Sequence, residues 1–126
     1  MKIEVEVSVG ELYDKISILR IKKQRIQDPD KLFNINKELI YLENKVLNND
    51  PALDKLADRL FQINSRLWDI ENNKRKCEAE NNFGYDFIQL ARDVYIYNDK
   101  RAEIKKKINV LTYSDVVEEK EYTRYK

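Results

Sequence analysis

Polar side chains interrupt the apolar faces of two predicted helices, and they are the residues of this chain best suited to binding chemistry. On the last predicted helix, Asn98 and Arg101 stand where the apolar pattern would otherwise continue, one turn before Lys105. If the first and last helices are neighbours, these side chains and a charged flank of the first helix form a basic cleft. An arginine there can hold a carboxylate or a phosphate through paired hydrogen bonds. The candidate residues of the cleft are Asp14, Lys15, Lys22, Asn98, Arg101 and Lys105.

The same residues also fit a solvated helix face that binds no ligand. Charges three or four residues apart on a helix pair with one another, as Glu11 with Lys15 or Glu103 with Lys107 would do here. A buried Asn98 would also serve to set the register between two packed helices. The spacing permits the cleft without requiring it, so both interpretations stay open.

Several common kinds of catalytic site are disfavoured by the composition. The chain has no histidine, the commonest general base and transition-metal ligand, and two glycines are too few for a glycine-rich phosphate loop. Its one cysteine, Cys77, closes an apolar heptad and is interpreted as a small buried side chain rather than a nucleophile. We predict no catalytic residue, no metal site and no cofactor, and we favour a protein that is not an enzyme.

Tyrosines concentrate toward the C-terminal part of the chain. Tyrosine suits protein interfaces because its ring can be buried while its hydroxyl stays in contact with water. Ordinary packing at the ends of the helices is the alternative interpretation. The candidate interface residues are Tyr95, Tyr97, Tyr113 and Tyr122.

Length and charge narrow the classes of function. The chain has 126 residues, about one domain, and 24 basic against 23 acidic side chains leave a net charge of +1. Nucleic-acid and acidic-membrane binding usually come with a basic excess, so both are disfavoured, and a local nucleic-acid site on the run from Arg101 to Lys107 is a third hypothesis. The single cysteine favours a reducing compartment, so we predict a cytoplasmic protein. No stretch approaches the ~18 apolar residues of a membrane helix, and acids near the start disfavour a signal peptide.

An apolar face with heptad spacing runs through the middle of the chain. It consists of Leu53, Leu56, Leu60, Ile63, Leu67 and Ile70. Spacings of three and four predict a long, coiled-coil-like helix with a partner helix against this face. A capping box at Ser8 and Glu11, and Asp-Pro pairs at 28–29 and 50–51, mark further helix starts. The predicted helices cover about 9–27, 29–48, 51–80 and 85–111.

The predicted architecture is a single all-α domain over residues 1–126. Short connections predict antiparallel neighbours, and hence an antiparallel four-helix bundle. Residues 2–7 alternate between apolar and polar types, which predicts a short strand with one buried face. Its candidate partner is residues 115–118 in the tail, 113–126, so the termini are predicted to form a small β element within one chain or across a dimer.

Short segments spread over nearly the whole chain match the pattern of one known family. In the first half they are Val7-Ser8-Val9-Gly10-Glu11-Leu12, Asp14-Lys15-Ile16, Ile18-Leu19, Ile21-Lys22, Arg25-Ile26, Lys31-Leu32, Leu67-Trp68 and Ile70-Glu71. In the second half they are Phe83-Gly84, Ala91-Arg92, Val94-Tyr95, Asn98-Asp99, Arg101-Ala102, Ile104-Lys105, Ile108-Asn109, Glu118-Glu119-Lys120 and Tyr122. On these segments the chain resembles an uncharacterised family of small helical proteins from bacteria and their phages, a domain of unknown function. The resemblance implies no established activity, and it places the polar residues Asp14, Lys15, Lys22, Asn98, Asp99 and Arg101 in the family pattern.

A second likeness concerns the first helix alone. Asp14-Lys15-Ile16 and Arg25 are similar to the first helix of the helical chorismate mutases, whose bundle holds a dicarboxylate with arginines and lysines. The rest of that site has no residue-by-residue counterpart here, so the likeness is an analogy.

Two functions follow as predictions. The first is a soluble helical interaction or adaptor protein that forms a homodimer and contacts another protein through a tyrosine-rich end or a helical face. The alternative is a small enzyme or sensor that binds an anionic metabolite between the first and last helices. In that case Arg101, Lys15 and Lys22 would hold the anion and Asn98 would orient it.

Overall fold

A computed structural model describes residues 1–46 and 50–125 of the chain. Within these residues it contains four helices and no strand, so the all-α prediction is confirmed there. The helices are α1 (Val9–Arg25), α2 (Pro29–Glu43), α3 (Pro51–Ala79) and α4 (Tyr85–Leu111). No helix in the described part of the chain is long and apolar enough to span a membrane.

The first three helices begin at the caps that the sequence provides. Ser8 Oγ accepts from the Glu11 amide at 3.1 Å, and Asp28 and Asp50 each accept an amide two residues on at 2.9 Å. Proline follows both aspartates at the first helical position, where its missing N–H costs no hydrogen bond. The capping box at α1 is half formed, because the Glu11 carboxylate accepts from Lys105 of α4 instead of returning to its own cap.

The ends of α1 and α2 differ from the predicted ones, while α3 ends one residue before its predicted end and α4 has the predicted bounds. α1 ends at Arg25, and α2 ends at Glu43, five residues before the predicted boundary. The predicted end of α2 at residue 48 falls on residues 47–49, which lie outside the described residues, as does Lys126 in the predicted tail. A left-handed residue follows each of α3 and α4 two positions after its end, Asn81 (φ 53°) and Tyr113 (φ 52°), in hydrogen-bond patterns that satisfy the last carbonyls of the helix.

The helices pack around α1, which contacts each of the other three. One hydrophobic cluster joins α1, α3 and α4, and it contains Tyr13, Leu53, Leu60, Ile104 and Ile108. A second cluster joins α1 and α2, and it contains Ile16, Leu19, Ile35 and Leu39. In the described residues α2 contacts neither α3 nor α4, so a four-helix bundle around one common core is not confirmed.

Side-chain pairs give the directions of the helices. Asn64 bonds to Asp14 while Asp69 bonds to Arg25, so α1 and α3 run in the same direction. The Gly10 amide donates to Asn109 of α4, and α4 runs antiparallel to α1. α3 has 29 residues and α4 has 27 against 17 in α1, so at about 1.5 Å per residue the α3–α4 pair extends well beyond the end of α1.

The predicted β element is not observed. Residues 2–7 form no strand, and they contact α2, where the Tyr41 hydroxyl donates to Glu4 Oε1 at 3.5 Å. Residues 115–118 follow α4 instead, with Glu118 3.5 Å from Lys105 Nζ. Without a partner strand, alternation in the sequence produces an extended segment whose apolar side chains Ile3 and Val5 remain exposed.

Candidate functional site

A buried carboxylate lies at the centre of the interface between α1, α3 and α4. The Asp14 side chain is 1 % exposed, and its two oxygens accept from Arg101, from Nε at 2.9 Å and from Nη2 in a second, shorter bond. Asn64 of α3 donates Nδ2 to Asp14 Oδ1 at 2.8 Å and to Ser17 Oγ at 2.6 Å. Each of the three helices therefore contributes a polar group to one hydrogen-bonded set.

A second ion pair lies one turn away on α4. Lys105 is buried and donates Nζ to Glu11 Oε2 at 2.7 Å. The same ammonium lies 3.8 Å from Asp14 Oδ2 and 3.5 Å from Glu118 Oε2. Three carboxylates thus surround one cation, which compensates for its removal from water.

The surroundings of Asp14, Lys105 and Arg101 shift each pKa in the direction that favours the charged form of the group. Burial alone would raise the pKa of Asp14, but hydrogen bonds from Arg101 and Asn64 and the charges of Arg101 and Lys105 hold it below its usual value. Burial would likewise lower the pKa of Lys105, but its bond to Glu11 and the nearby carboxylates raise it. The hydrogen bond to Asp14 raises the pKa of Arg101. All three groups are therefore ionised near neutral pH.

The end of α4 fixes the start of α1. The Gly10 amide donates to Asn109 Oδ1 at 2.7 Å, and the Val9 amide donates to Ser114 Oγ at 3.1 Å. A Cβ at Gly10 would lie 2.6 Å from the Lys105 carbonyl oxygen, so only glycine allows the two backbones to approach this closely. This contact sets the register that brings Asp14 to Arg101.

A groove of about 500 Å³ opens beside the buried carboxylate, where α1 ends and α3 and α4 continue. We call it the α1 groove. Its lining residues are Ile18, Ile21, Asn64, Leu67, Trp68, Glu71, Asn72, Arg75, Val94, Asn98 and Arg101. The bonds to Asp14 use Nε and Nη2 of Arg101, a residue that also lines the groove. The groove thus combines an apolar and aromatic wall with two guanidinium groups and three carboxamides.

The structure brings together some of the predicted cleft residues and separates others. Asp14, Arg101 and Lys105 form the buried set, and Asn98 lines the α1 groove with Arg101. Lys15 is exposed, and Lys22 is half-buried but does not line the groove. The basic cleft of the sequence prediction is therefore smaller and less basic than expected, since Asp14 and Glu11 compensate two of its cations.

Sequence reasoning missed several residues of the site. Asn64 carries the clearest signal, because this carboxamide lies one turn after Leu60 on the predicted core face of α3. Trp68, half-buried against the groove, follows Leu67 of the predicted core face directly and has no separate signal in the sequence. Arg75 is an exposed arginine in a highly charged helix, so no pattern in the sequence distinguishes it.

The ion pairs expected of a solvated face are present in part. Glu103 and Lys107 pair across one helical turn at 3.4 Å, as predicted. Glu11 pairs with Lys105 of α4 instead of Lys15, because its side chain faces the interior between the two helices. The outer side of α4 thus fits the interpretation as a solvated, charged face. Its inner side carries the buried ion pairs instead.

The candidate interface tyrosines do not form one cluster. Tyr95 packs edge-on against Tyr125 with ring centroids 5.1 Å apart, and the Tyr125 hydroxyl donates to Asp99 at 2.8 Å. Tyr97 lies under the Lys100 ammonium, 4.6 Å from the ring centroid, and Tyr122 is exposed near the same side of α4. Tyr113 is at the opposite end of α4 and fully exposed.

Comparisons with known proteins identify a family and no activity. Within the described residues, no group of three or more Cys, Asp or Glu side chains is arranged to hold a metal ion. No curated protein matches this chain, and no solved structure matches it. One family model, described as "Family of unknown function (DUF6165)", matches residues 1–125. The match covers nearly the whole chain, and the chain therefore belongs to family DUF6165.

Proposed function

We propose that the α1 groove binds a small molecule that carries a carboxylate or a phosphate next to an apolar or planar portion. The observation that carries this proposal is the geometry of Arg101. Its guanidinium is held in place by Asp14 from behind while it lines the groove. An arginine fixed in this way loses little side-chain freedom when it binds an anion, so more of the interaction energy contributes to affinity.

The other groove residues supply what such a ligand requires. Arg75 brings a second guanidinium, and Asn72 and Asn98 offer carboxamide donors for the oxygens of an anion. Trp68 and Leu67 provide surface for the apolar or planar portion. Glu71 is the one acid among the lining residues, and it favours ligands that also carry a donor group.

The proposed activity is binding rather than covalent chemistry. The chain contains no histidine, and Cys77 is buried away from the groove lining. The groups present act by electrostatic placement and hydrogen bonding, as in a sensor or a carrier. Small concave sites with an apolar wall and a few convergent polar groups are the usual form of metabolite sites.

A thermal-shift panel followed by titration calorimetry tests the proposal. Phosphosugars, nucleotides and dicarboxylates are screened against the wild type, Arg75→Ala and Arg92→Ala. Arg75 lines the groove and is exposed, so its removal leaves no buried charge unpaired, and Arg92 is a matched exposed arginine of α4 outside the groove. A ligand at a hundred times its dissociation constant stabilises the fold by about 2.7 kcal/mol.

The expected result is a stabilising ligand whose affinity falls at least tenfold in Arg75→Ala and is unchanged in Arg92→Ala. Asn98→Leu, which replaces a carboxamide of the groove lining with an apolar side chain of similar shape, should weaken binding with the fold intact. Equal affinity in all variants would contradict the groove as the site. A panel without any stabilising ligand would contradict the proposed ligand class.

An adaptor role is the second candidate, and the outer side of α2 favours it. Because α2 packs on no helix other than α1 in the described residues, its other side exposes Phe33 and Ile40 next to Tyr41. Apolar side chains exposed together on one helix are typical of protein interaction sites. Cross-linking and co-purification from cells should recover a partner with the wild type and lose it with Phe33→Ser combined with Ile40→Ser. Identical recovery from both chains would exclude this side of α2.

A further inference from the structure

A second groove lies between α3 and α4, and no residue of α1 lines it. We call it the α3–α4 groove, and its volume is about 720 Å³. Its apolar floor consists of Ala52, Leu56, Val110 and Leu111. Val110 is 69 % exposed and lies beside the other apolar side chains of this floor. Apolar surface of this kind gains stability when a partner covers it.

The rim of the α3–α4 groove is strongly basic. Its charged members are Lys55, Arg59, Lys106, Lys107 and Glu103. Lys107 pairs with Glu103 at 3.4 Å. The other three basic side chains of the rim therefore have no carboxylate partner within the rim. Long basic side chains lay their methylene stems along an apolar floor and extend their charges above it. The groove therefore fits a segment that is apolar on one side and acidic on the other.

The N-terminal residues 2–7 are such a segment, and we call them the arm. Ile3 is 80 % exposed and Val5 is 74 % exposed, and Glu4 and Glu6 alternate with them. In an extended chain the side chains alternate between two faces, so the arm has one apolar and one acidic face. In the described residues the arm forms no strand and rests on α2 through exposed contacts of Lys2 and Glu4 with Tyr41.

The arm and the α3–α4 groove lie at the same end of the molecule but on different sides. The arm leaves α1 at Val9, whose amide bonds to Ser114 just after α4, and Val110 lies one turn earlier in α4. Within one chain the arm turns toward α2, which packs on α1 and, as far as the structure describes the chain, has no contact with α3 or α4. Six extended residues span about 20 Å, enough to cross from one molecule to a neighbour at this end.

We propose that the arm of one chain binds in the α3–α4 groove of a second copy, and that two copies exchange arms in a symmetric dimer. Ile3 and Val5 cover the floor around Val110, and Glu4 and Glu6 meet the basic rim of the partner chain. Reciprocal exchange doubles the buried surface and closes the assembly at two copies. The inference is independent of the ligand proposed for the α1 groove, since the two grooves share no lining residue.

Sedimentation equilibrium of the full chain and its surface variants tests the exchange. The wild type should dimerise, and Val5→Asp, Val110→Asp and the double variant Glu4→Lys with Glu6→Lys should each weaken dimerisation at least tenfold. Adding Lys55→Glu and Lys106→Glu to the Glu4→Lys, Glu6→Lys chain should restore the dimer by reversing the charges on both sides of the contact. Lys31→Glu with Lys37→Glu on α2 is the matched control and should not affect the assembly. Circular dichroism checks that each variant keeps its helices.

Cysteine cross-linking identifies the contact directly. Two chains that lack Cys77 through Cys77→Ala, one with Val5→Cys and the other with Val110→Cys, are mixed and oxidised. A disulfide between the two different chains is the expected product. A monomeric wild type at millimolar concentration, or disulfides only between two Val5→Cys chains, would overturn the proposal.

Discussion

α1 has two interfaces of opposite chemistry. Toward α2 it presents Ile16 and Leu19 to Ile35 and Leu39, and this cluster contains only aliphatic side chains. Toward α4 its contacts include two buried ion pairs and two amides that donate to side chains of the other helix or its end. The two interfaces belong to the same 17-residue helix, so their difference reflects the side chains and not the backbone.

The comparison separates two roles of helix contacts, which are to hold two helices together and to fix how they are aligned. Aliphatic packing is non-directional, so the contact between α1 and α2 requires no particular donor and acceptor to meet. Buried ion pairs are directional, and a shift by one residue would leave Asp14 in a dry environment without its guanidinium. The polar interface thus fixes where the helices lie, and that position creates the α1 groove.

Breaking the polar interface should have the largest effect. Arg101→Ala leaves the Asp14 carboxylate buried without its guanidinium, so we expect a loss of about 3–5 kcal/mol in the free energy of unfolding. Urea denaturation measures it. Asp14→Leu combined with Arg101→Met converts the contact into the aliphatic type and should recover at least half of the loss. A cost below ~1 kcal/mol for the single variant would show that Asp14 does not depend on Arg101.

Acid should weaken the same contact reversibly. Because the pKa of Asp14 is lower in the folded chain than in the unfolded one, its charge stabilises the fold above the unfolded pKa of about 3.9. This contribution is lost as the pH falls through the lower, folded pKa. Below about pH 4 the wild type should therefore lose stability more steeply than Asp14→Asn. Parallel curves for the two chains would contradict the assigned pKa shift.

Breaking the aliphatic interface should cost less and act more locally. Leu39→Ala removes a buried side chain of the cluster between α1 and α2, so the loss should lie near the lower end of the usual range of about 2–5 kcal/mol. Because α2 contacts neither α3 nor α4 in the described residues, hydrogen exchange should accelerate in α2 and remain slow in α3 and α4. Equal acceleration in all four helices would mean that α2 unfolds only with the rest.

A smaller loss is expected where the α1 and α4 backbones meet. In Gly10→Ala the new methyl group would lie 2.6 Å from the Lys105 carbonyl oxygen, so the helices must separate at a cost of about 1–3 kcal/mol. Gly84→Ala is the matched control, since the nearest atom to its Cβ would lie at 3.7 Å. Thermal unfolding of both variants measures the difference. Similar melting temperatures would show that the close approach is not required.

Local signals in the sequence predicted the helices well because caps act within a few residues. Ser8, Asp28 and Asp50 each bond to amides two or three residues away, whatever the rest of the chain does. The strand predicted for residues 2–7, the arm, is not observed for the opposite reason. A strand requires a partner elsewhere in the chain, and the alternation of Ile3 and Val5 contains no information about one.

The candidate site was predicted in part because it depends on how helices are rotated and aligned. Arg101 and Asn98 interrupt an apolar pattern, which marks them as facing the interior. Lys15 and Lys105 are equally basic in the sequence, yet only Lys105 is buried. What separates them is the register set by Gly10 against α4, and no local pattern records a distance between residues about 100 positions apart.

The smallest effect should come from the hydroxyl that links the end of α4 to the start of α1. Ser114 Oγ accepts from the Val9 amide, and the left-handed Tyr113 turns the chain so that this serine reaches α1. Ser114→Ala should cost about 1 kcal/mol or less, in the range of helix caps, and Ser114→Thr, which keeps the hydroxyl, should cost less. Hydrogen exchange should accelerate at the first turn of α1 and the last turn of α4 together, because one bond joins them. Acceleration confined to α4 would mean that Ser8 alone caps α1, and the polar interface would then begin at Gly10.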